Sequence, residues 1–342
     1  MAKKRKGRSP QEAPKQIQEL PTEQALPRRS PTPGATRDQE RLTRSSPTET
    51  TKNSPSYNHL ITALRYDWSE QRHNPFGTIY RFFSYQWQQI NKASLEPQTT
   101  QVHHIPLIVL VVASISLTLM EYYGRNGDWN MFLKWLSTSK GSWGPWAKGT
   151  LSGQYKELWG FAYWSIARFV GYLLLPCVCV WLFLPKEKVS SYGLSLKSAQ
   201  SNVKLYVTLY LMIAPVVFLV SFTAGFQHTY PFYSQASRSW YDFLVFELFY
   251  AFQFFSLEFF FRGFLLHSIK RYVGAYAIFI MIVPYCMIHF GKPMPETLGA
   301  IGAGLILGTL SLRTNSIWGG VGIHVAVGIS MDVCSLWQKN LL

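Results

Sequence analysis

The chain has 342 residues, 48% of them hydrophobic and 15% charged, with a formal net charge of +15. That length allows one large domain or two small ones. The apolar residues are too unevenly spread for a single soluble domain: residues 1–104 are polar and basic, and most of the chain beyond residue 104 is apolar. Four cysteines (Cys177, Cys179, Cys286 and Cys334) all lie in apolar segments. They show neither zinc-site spacing nor an extracellular disulfide framework, and read as reduced packing residues.

In chain order, residues 1–56 come first, with eight prolines and no aromatic residue. Such a segment buries too little apolar surface to offset its chain entropy, which predicts a disordered basic tail. Its start, Lys3-Lys4-Arg5-Lys6, has the composition of a nucleic-acid or anionic-lipid contact. With apolar spans downstream it reads instead as a cytoplasmic topology determinant, and no nucleic-acid partner is expected. No apolar run comes directly after it, so it is not a secretory signal peptide. Residues 57–104 interleave Tyr66, Trp68, Phe76, Tyr80, Phe82, Phe83, Tyr85 and Trp87 with Arg65, Arg72, Arg81 and Lys92. Aromatic and basic residues mixed in this way suit a cytoplasmic membrane surface. A small soluble subdomain is the competing reading.

Seven apolar stretches come next, at 105–123, 158–184, 203–223, 241–269, 273–290, 297–312 and 317–337. Most reach the length needed to cross a bilayer. The sixth is short but rich in Gly and Ala, which allow close helix contact. The expected fold is an all-α polytopic membrane bundle of about seven helices. Residues 105–223 would form an N-terminal group of helices and 241–337 the core. Lys186, Lys188, Lys197, Lys204, Lys270, Arg271 and Arg313 fall on the side of the basic tail, as the positive-inside rule prefers. The loop 124–157, with Trp129, Trp135, Trp143 and Trp146, is expected at the opposite interface. The sequence therefore predicts an integral multi-pass protein, in a bacterial cytoplasmic membrane, with its N-terminus cytoplasmic and membrane lipids as partners.

The polar groups inside the spans carry the functional signal. Glu258 and Arg262 lie one helical turn apart in the run Leu257-Glu258-Phe259-Phe260-Phe261-Arg262-Gly263, so both fall on one face of a helix. In lipid each is expensive and needs a partner. A pair that only locks helices together is the bland alternative. Glu247 is on the same face but about 16 Å away along the axis, which makes it a secondary candidate nearer the outer interface. His289 ends the fifth stretch and His324 lies in the seventh. Depth counting at ~1.5 Å per residue lets both histidines reach the level of Glu258. An acid and two imidazoles in one partly hydrated cavity suit peptide hydrolysis, with a base for water and a donor for the oxyanion. Two His and a Glu can also hold zinc, a rival reading weakened by the absence of the His-Glu-x-x-His helix signature; no cofactor is expected, with zinc as the alternative. Glu296 and Asp332 are further acids nearby. Glu296 stands where it can complement a helix dipole. Asp332 is turned about 80° from His324 and lies about 12 Å along the same helix.

Over residues 241–337 these positions resemble the CPBP family of intramembrane proteases, which includes the type II CAAX prenyl endopeptidases and bacterial Abi-type proteins linked to bacteriocin self-immunity. The family's first motif, Glu-Glu-x-x-x-Arg, aligns with Leu257, Glu258 and Arg262. Its Phe-x-x-x-His motif aligns with Tyr285 and His289. Its His-x-x-x-Asn/Asp motif aligns with His324 and Gly328. Two positions depart: Leu257 replaces the glutamate understood to activate water, and Gly328 replaces the Asn or Asp. The resemblance implies an intramembrane glutamic endopeptidase acting on a peptide or membrane-protein substrate. In it Glu258 with His289 would activate water, His324 would stabilise the oxyanion and Arg262 would hold Glu258. The alternative is a catalytically inactive CPBP fold serving peptide-toxin immunity or acting as a scaffold.

Overall fold

The structure is a computed structural model in which residues 75–95 and 103–341 are described. The expected disordered tail, and Arg65, Tyr66, Trp68 and Arg72 of the membrane-surface region, lie outside the described residues, as does the side chain of Phe76. What remains of that region is one helix, α1 (Pro75–Ser94). Its Trp87 indole N–H donates to Thr309 Oγ1 at 3.3 Å, and the ring meets Phe279 edge-on at 5.0 Å. Asn91 Oδ1 accepts from the Ala275 N–H at 2.7 Å. The contact depends on Gly274, whose φ of +57° and absent Cβ (which would lie 2.1 Å from Asn91 Oδ1) leave room for the amide.

Helix α2 (His104–Tyr123) is followed by two short helices, α3 (Asn126–Leu136) and α4 (Trp143–Ser152). The loop with four tryptophans is thus mostly helical. Trp129 stacks on Tyr163 at 5.8 Å and meets Trp146 edge-on at 6.3 Å. The next helix, α5 (Lys156–Phe183), is continuous through a π-helical turn at Val170–Leu174. After a loop comes α6 (Val203–Val220), with a single buried residue, Tyr206. Helix α7 (Trp240–Val273) is the longest, and it too passes through a π-helical turn, Phe259–Leu265. The bundle closes with α8 (Tyr276–Met287), α9 (Met294–Thr314) and α10 (Trp318–Gln338).

Six of these helices are long and apolar enough to cross a bilayer: α2, α5, α6, α7, α9 and α10. The chain is an integral membrane protein, all-helical as expected. The fifth stretch differs. Residues 273–290 are apolar throughout, but the helix formed there has only 12 residues. At ~1.5 Å per residue that is about 18 Å, well short of a ~30 Å hydrocarbon core. Gly291, with φ of +89°, and Pro293 follow within six residues and end the helix. Hydropathy counts the composition of such a run and not the backbone that breaks it.

Among lipid tails helices gain little from leaving an apolar solvent, so close packing holds them. The packed centre is the middle of α7. Phe259, Phe260, Phe261 and Phe264 are each at most 1% exposed. Phe260 stacks on Tyr172 of α5 at 4.7 Å, and Phe261 meets Tyr285 of α8 at 5.3 Å. The small residues of α9 work as expected: a Cβ on Gly304 or Gly308 would press on Ile282 or Ile278 of α8. The loop before α6 ties to the α9–α10 turn, where Ile317 N–H donates to the Gly193 carbonyl at 2.8 Å.

Candidate active site

Glu258 is the last residue of α7 before its π-helical turn, and Arg262 lies within that turn. A π turn adds a residue to the helical repeat and reorients the side chains around it. Both residues are completely buried. Glu258 Oε1 lies 3.0 Å from Arg262 Nη1 and 2.7 Å from Nδ1 of His324 on α10. None of these atoms meets its partner at hydrogen-bond angles, so the Glu258–Arg262 contact is an ion pair without directional bonds and His324 closes on it at short range. The guanidinium also lies over the Tyr285 ring, 3.9 Å from its centre, a second hold on the cation. Removing one member of such a buried set costs about 3–5 kcal/mol, because the others are left uncompensated.

The other edge of His324 continues the chain of contacts. Its Nε2 is 2.9 Å from the Tyr285 hydroxyl, and its ring stacks on Phe254 at 5.2 Å with the planes 2° apart. His289, just past α8, sits 4.9 Å from the Tyr285 ring, centre to centre. Its Nδ1 is 2.8 Å from the Tyr285 carbonyl oxygen. A carbonyl can only accept, so Nδ1 carries the proton and the neutral ring keeps its lone pair on Nε2.

These groups border a cavity of about 770 Å³ between α5, α6, α7, α8, α9 and α10. Tyr285, His289, His324 and Leu257 line it, and Glu258 does not. The order of the two neighbours on α7 is the decisive detail. Successive helical residues point about 100° apart, and it is Leu257, only 8% exposed, that forms wall. The Glu258 carboxylate lies behind the wall against α10. There it fills the space of an absent side chain: a Cβ on Gly320 would fall 2.3 Å from Glu258 Oε2. Gly328 is similarly constrained, since a Cβ there would lie 2.9 Å from the Phe254 ring that stacks on His324.

Glu296 lines the same cavity as His289. One of its oxygens accepts from the Tyr230 hydroxyl at 2.7 Å and the other from Lys292 at 2.6 Å. Burial, with Tyr250 and the Glu296 carboxylate nearby, pushes the Tyr230 phenol well above its ordinary range, so it stays a donor. Glu247 and Asp332 form a different group. Both are buried, at 7% and 0% exposure, and close enough to interact across the α7–α10 contact. Neither makes a contact with Glu258. Glu247 lies in the second turn of α7, counted from Trp240, and its side chain is turned into the bundle. Among the described residues no three His, Cys, Asp or Glu side chains are grouped to hold a metal ion.

With this geometry in place, residues 238–330 match the family described as type II CAAX prenyl endopeptidase Rce1-like. This core is of the CPBP family. The match begins at Arg238, takes in the N-cap Ser239 of α7 and ends in α10, so it contains every member of the Glu258 cluster. No curated protein and no solved structure matches the chain. The matched stretch spans the Glu258–Arg262 pair and both histidines. The match does not account for Leu257 on the cavity wall. Two residues of the site carry little signal in the sequence. Tyr285 stands out there only as a motif position, and Gly320 has no mark beyond the Gly-Gly pair that opens α10.

Proposed function

We propose that this protein is an intramembrane endopeptidase in which His289 is the general base and Glu258 acts only through His324. The observation that carries this reading is the 2.8 Å contact of His289 Nδ1 with the Tyr285 carbonyl, which leaves the Nε2 lone pair on a residue lining the cavity. Burial and the Lys292 charge push this imidazole down to about 3, so the ring is neutral and open to a proton. A water held by that nitrogen gives up its proton as its oxygen attacks the scissile carbonyl. The carbonyl oxygen takes the negative charge and is met by the Tyr285–His324 hydrogen-bonded pair. As the tetrahedral carbon collapses, the C–N bond breaks and the proton on His289 passes to the leaving amine. Glu258, fully buried against His324 Nδ1, fixes the orientation of that ring. It is a positioning residue, and Arg262 positions it in turn. By the positive-inside rule the basic N-terminal run lies on the cytoplasmic side.

The CPBP relationship supports a peptide substrate. One observation favours a second reading, a peptide-binding CPBP fold without turnover: Leu257 occupies the wall position where the family has its water-activating glutamate. A single experiment separates the two. Detergent-purified protein is incubated with a peptide library, and new termini are read by mass spectrometry, with His289→Ala in parallel. Cleavage by the wild type and silence of the variant is the expected result. Binding of peptides without any cleavage would establish the second reading, and equal cleavage by both proteins would remove His289 from the mechanism.

A further inference from the structure

The far side of the cavity carries a cation that the proposed hydrolysis does not use. Phe161, Trp164, Arg168 and Tyr172 of α5 all line it, at spacings of three and four residues that put them on one face of the helix. Arg168 is 12 residues from the start of α5 and 15 from its end, with Ile166, Phe169 and Val170 around it. A charge inside an apolar span calls for a partner. Among the described cavity residues, Arg125 and Lys292 are each paired, with Glu121 and Glu296 respectively. No carboxylate among the described residues pairs with Arg168. Its contacts are the Tyr172 hydroxyl, 3.2 Å from Nη1, and the face of the same ring, 5.3 Å from Cζ. Both leave most of the guanidinium fork unspent, and the fork matches a carboxylate.

We propose that Arg168 is the anion subsite of this cavity and binds a carboxylate of the peptide drawn into it. This rests on the endopeptidase or peptide-binding reading above, and it assigns which peptides are taken. The subsite and the reacting groups share one cavity: Arg168 and Tyr172 line it together with Tyr285, His289 and His324. A carboxylate held at Arg168 anchors a peptide whose backbone runs past those groups. The carboxylate can be the free C-terminus or an Asp or Glu side chain. The apolar wall of the cavity, including Phe161, Trp164 and Ile213, takes the remaining side chains.

The test is a binding measurement in the full chain carrying His289→Ala, so that it does not depend on turnover. An acetylated five-residue Leu/Ala peptide is used with a free C-terminus, with a C-terminal amide, and as the amide with one internal Glu. Quenching of tryptophan fluorescence reports binding, since Trp164 lines the cavity. The acid is expected to bind at least about tenfold tighter than the amide, as a charge-assisted fork contact predicts. Arg168→Gln should abolish that difference and Arg168→Lys should keep part of it. The internal Glu restoring tight binding identifies a side-chain carboxylate, and failure to restore it identifies the C-terminus. Equal affinity for acid and amide, no binding of either, or a preference that survives Arg168→Gln overturns the assignment. So does displacement of a bound fluorophore by phosphatidic acid alone, which would make the ligand a lipid headgroup. Size exclusion of Arg168→Gln checks that it folds. If it does not, the acid–amide ratio in the otherwise unchanged chain and in Arg168→Lys still decides.

Discussion

The cavity has two unlike walls. One is built from α7, α8 and α10, and half of the most apolar stretch of α7 is buried inside the protein. The other is α6, where the corresponding share is 6%, yet Met212, Ile213, Val216 and Val220 all face the cavity. The first wall is pinned by buried charge and ring stacking around Glu258, Arg262, His324 and Tyr285. The second is held mainly along α10, with a Tyr210–Ser330 hydrogen bond of 2.7 Å and the Tyr206–Thr314 contact at its foot. The contrast sets a wall fixed by buried polar geometry, where we place the proposed chemistry, against an apolar wall that packs on α10 and turns most of its surface to lipid.

That contrast can be broken from the rigid side first. Glu258→Ala leaves Arg262 buried without its carboxylate and should lower stability by about 3–5 kcal/mol, read as the unfolding midpoint in mixed micelles. His289→Ala should leave that midpoint almost unchanged and lower peptide turnover about 10²–10⁴-fold, the usual worth of a general base. Gly320→Ala puts a methyl where Glu258 Oε2 lies. It should cost about 1–3 kcal/mol by overpacking and also reduce turnover. The smallest effect is expected on the lipid-facing wall. Met212→Ala, at a side chain 69% exposed, should shift stability by less than about 0.5 kcal/mol. A large loss there would mean that this side chain is packed inside the bundle, and the contrast would fail.

Much of this site is legible in the sequence, for physical reasons that differ residue by residue. A four-residue offset is one helical turn, so the Glu258–Arg262 pair is readable directly. The level of His324 comes from rise per residue, and it does meet Glu258. Azimuth is not readable. Glu258 and Leu257 differ by about 100° around α7, and which of them faces the cavity depends on helices α8 and α10 packed far away in sequence. The π turn at Phe259–Leu265 adds to this, since no composition rule marks it. Sequence reasoning therefore assigns Glu258 to water with His289, whereas its contacts are with Arg262 and His324. Arg168 escapes notice because one charge barely lowers the hydropathy of a long span. The length of α8 is overestimated because Gly291 and Pro293 end a helix without ending the apolar run.

The central claim is that Glu258 works through His324 and not on water itself. A double-mutant cycle on peptide turnover tests it most directly, using Glu258→Gln, which keeps the side-chain shape, with His324→Ala and the combined variant. If Glu258 acts only through His324, the double variant is no slower than His324→Ala alone. If the two losses multiply, Glu258 has a catalytic role of its own and the account is wrong.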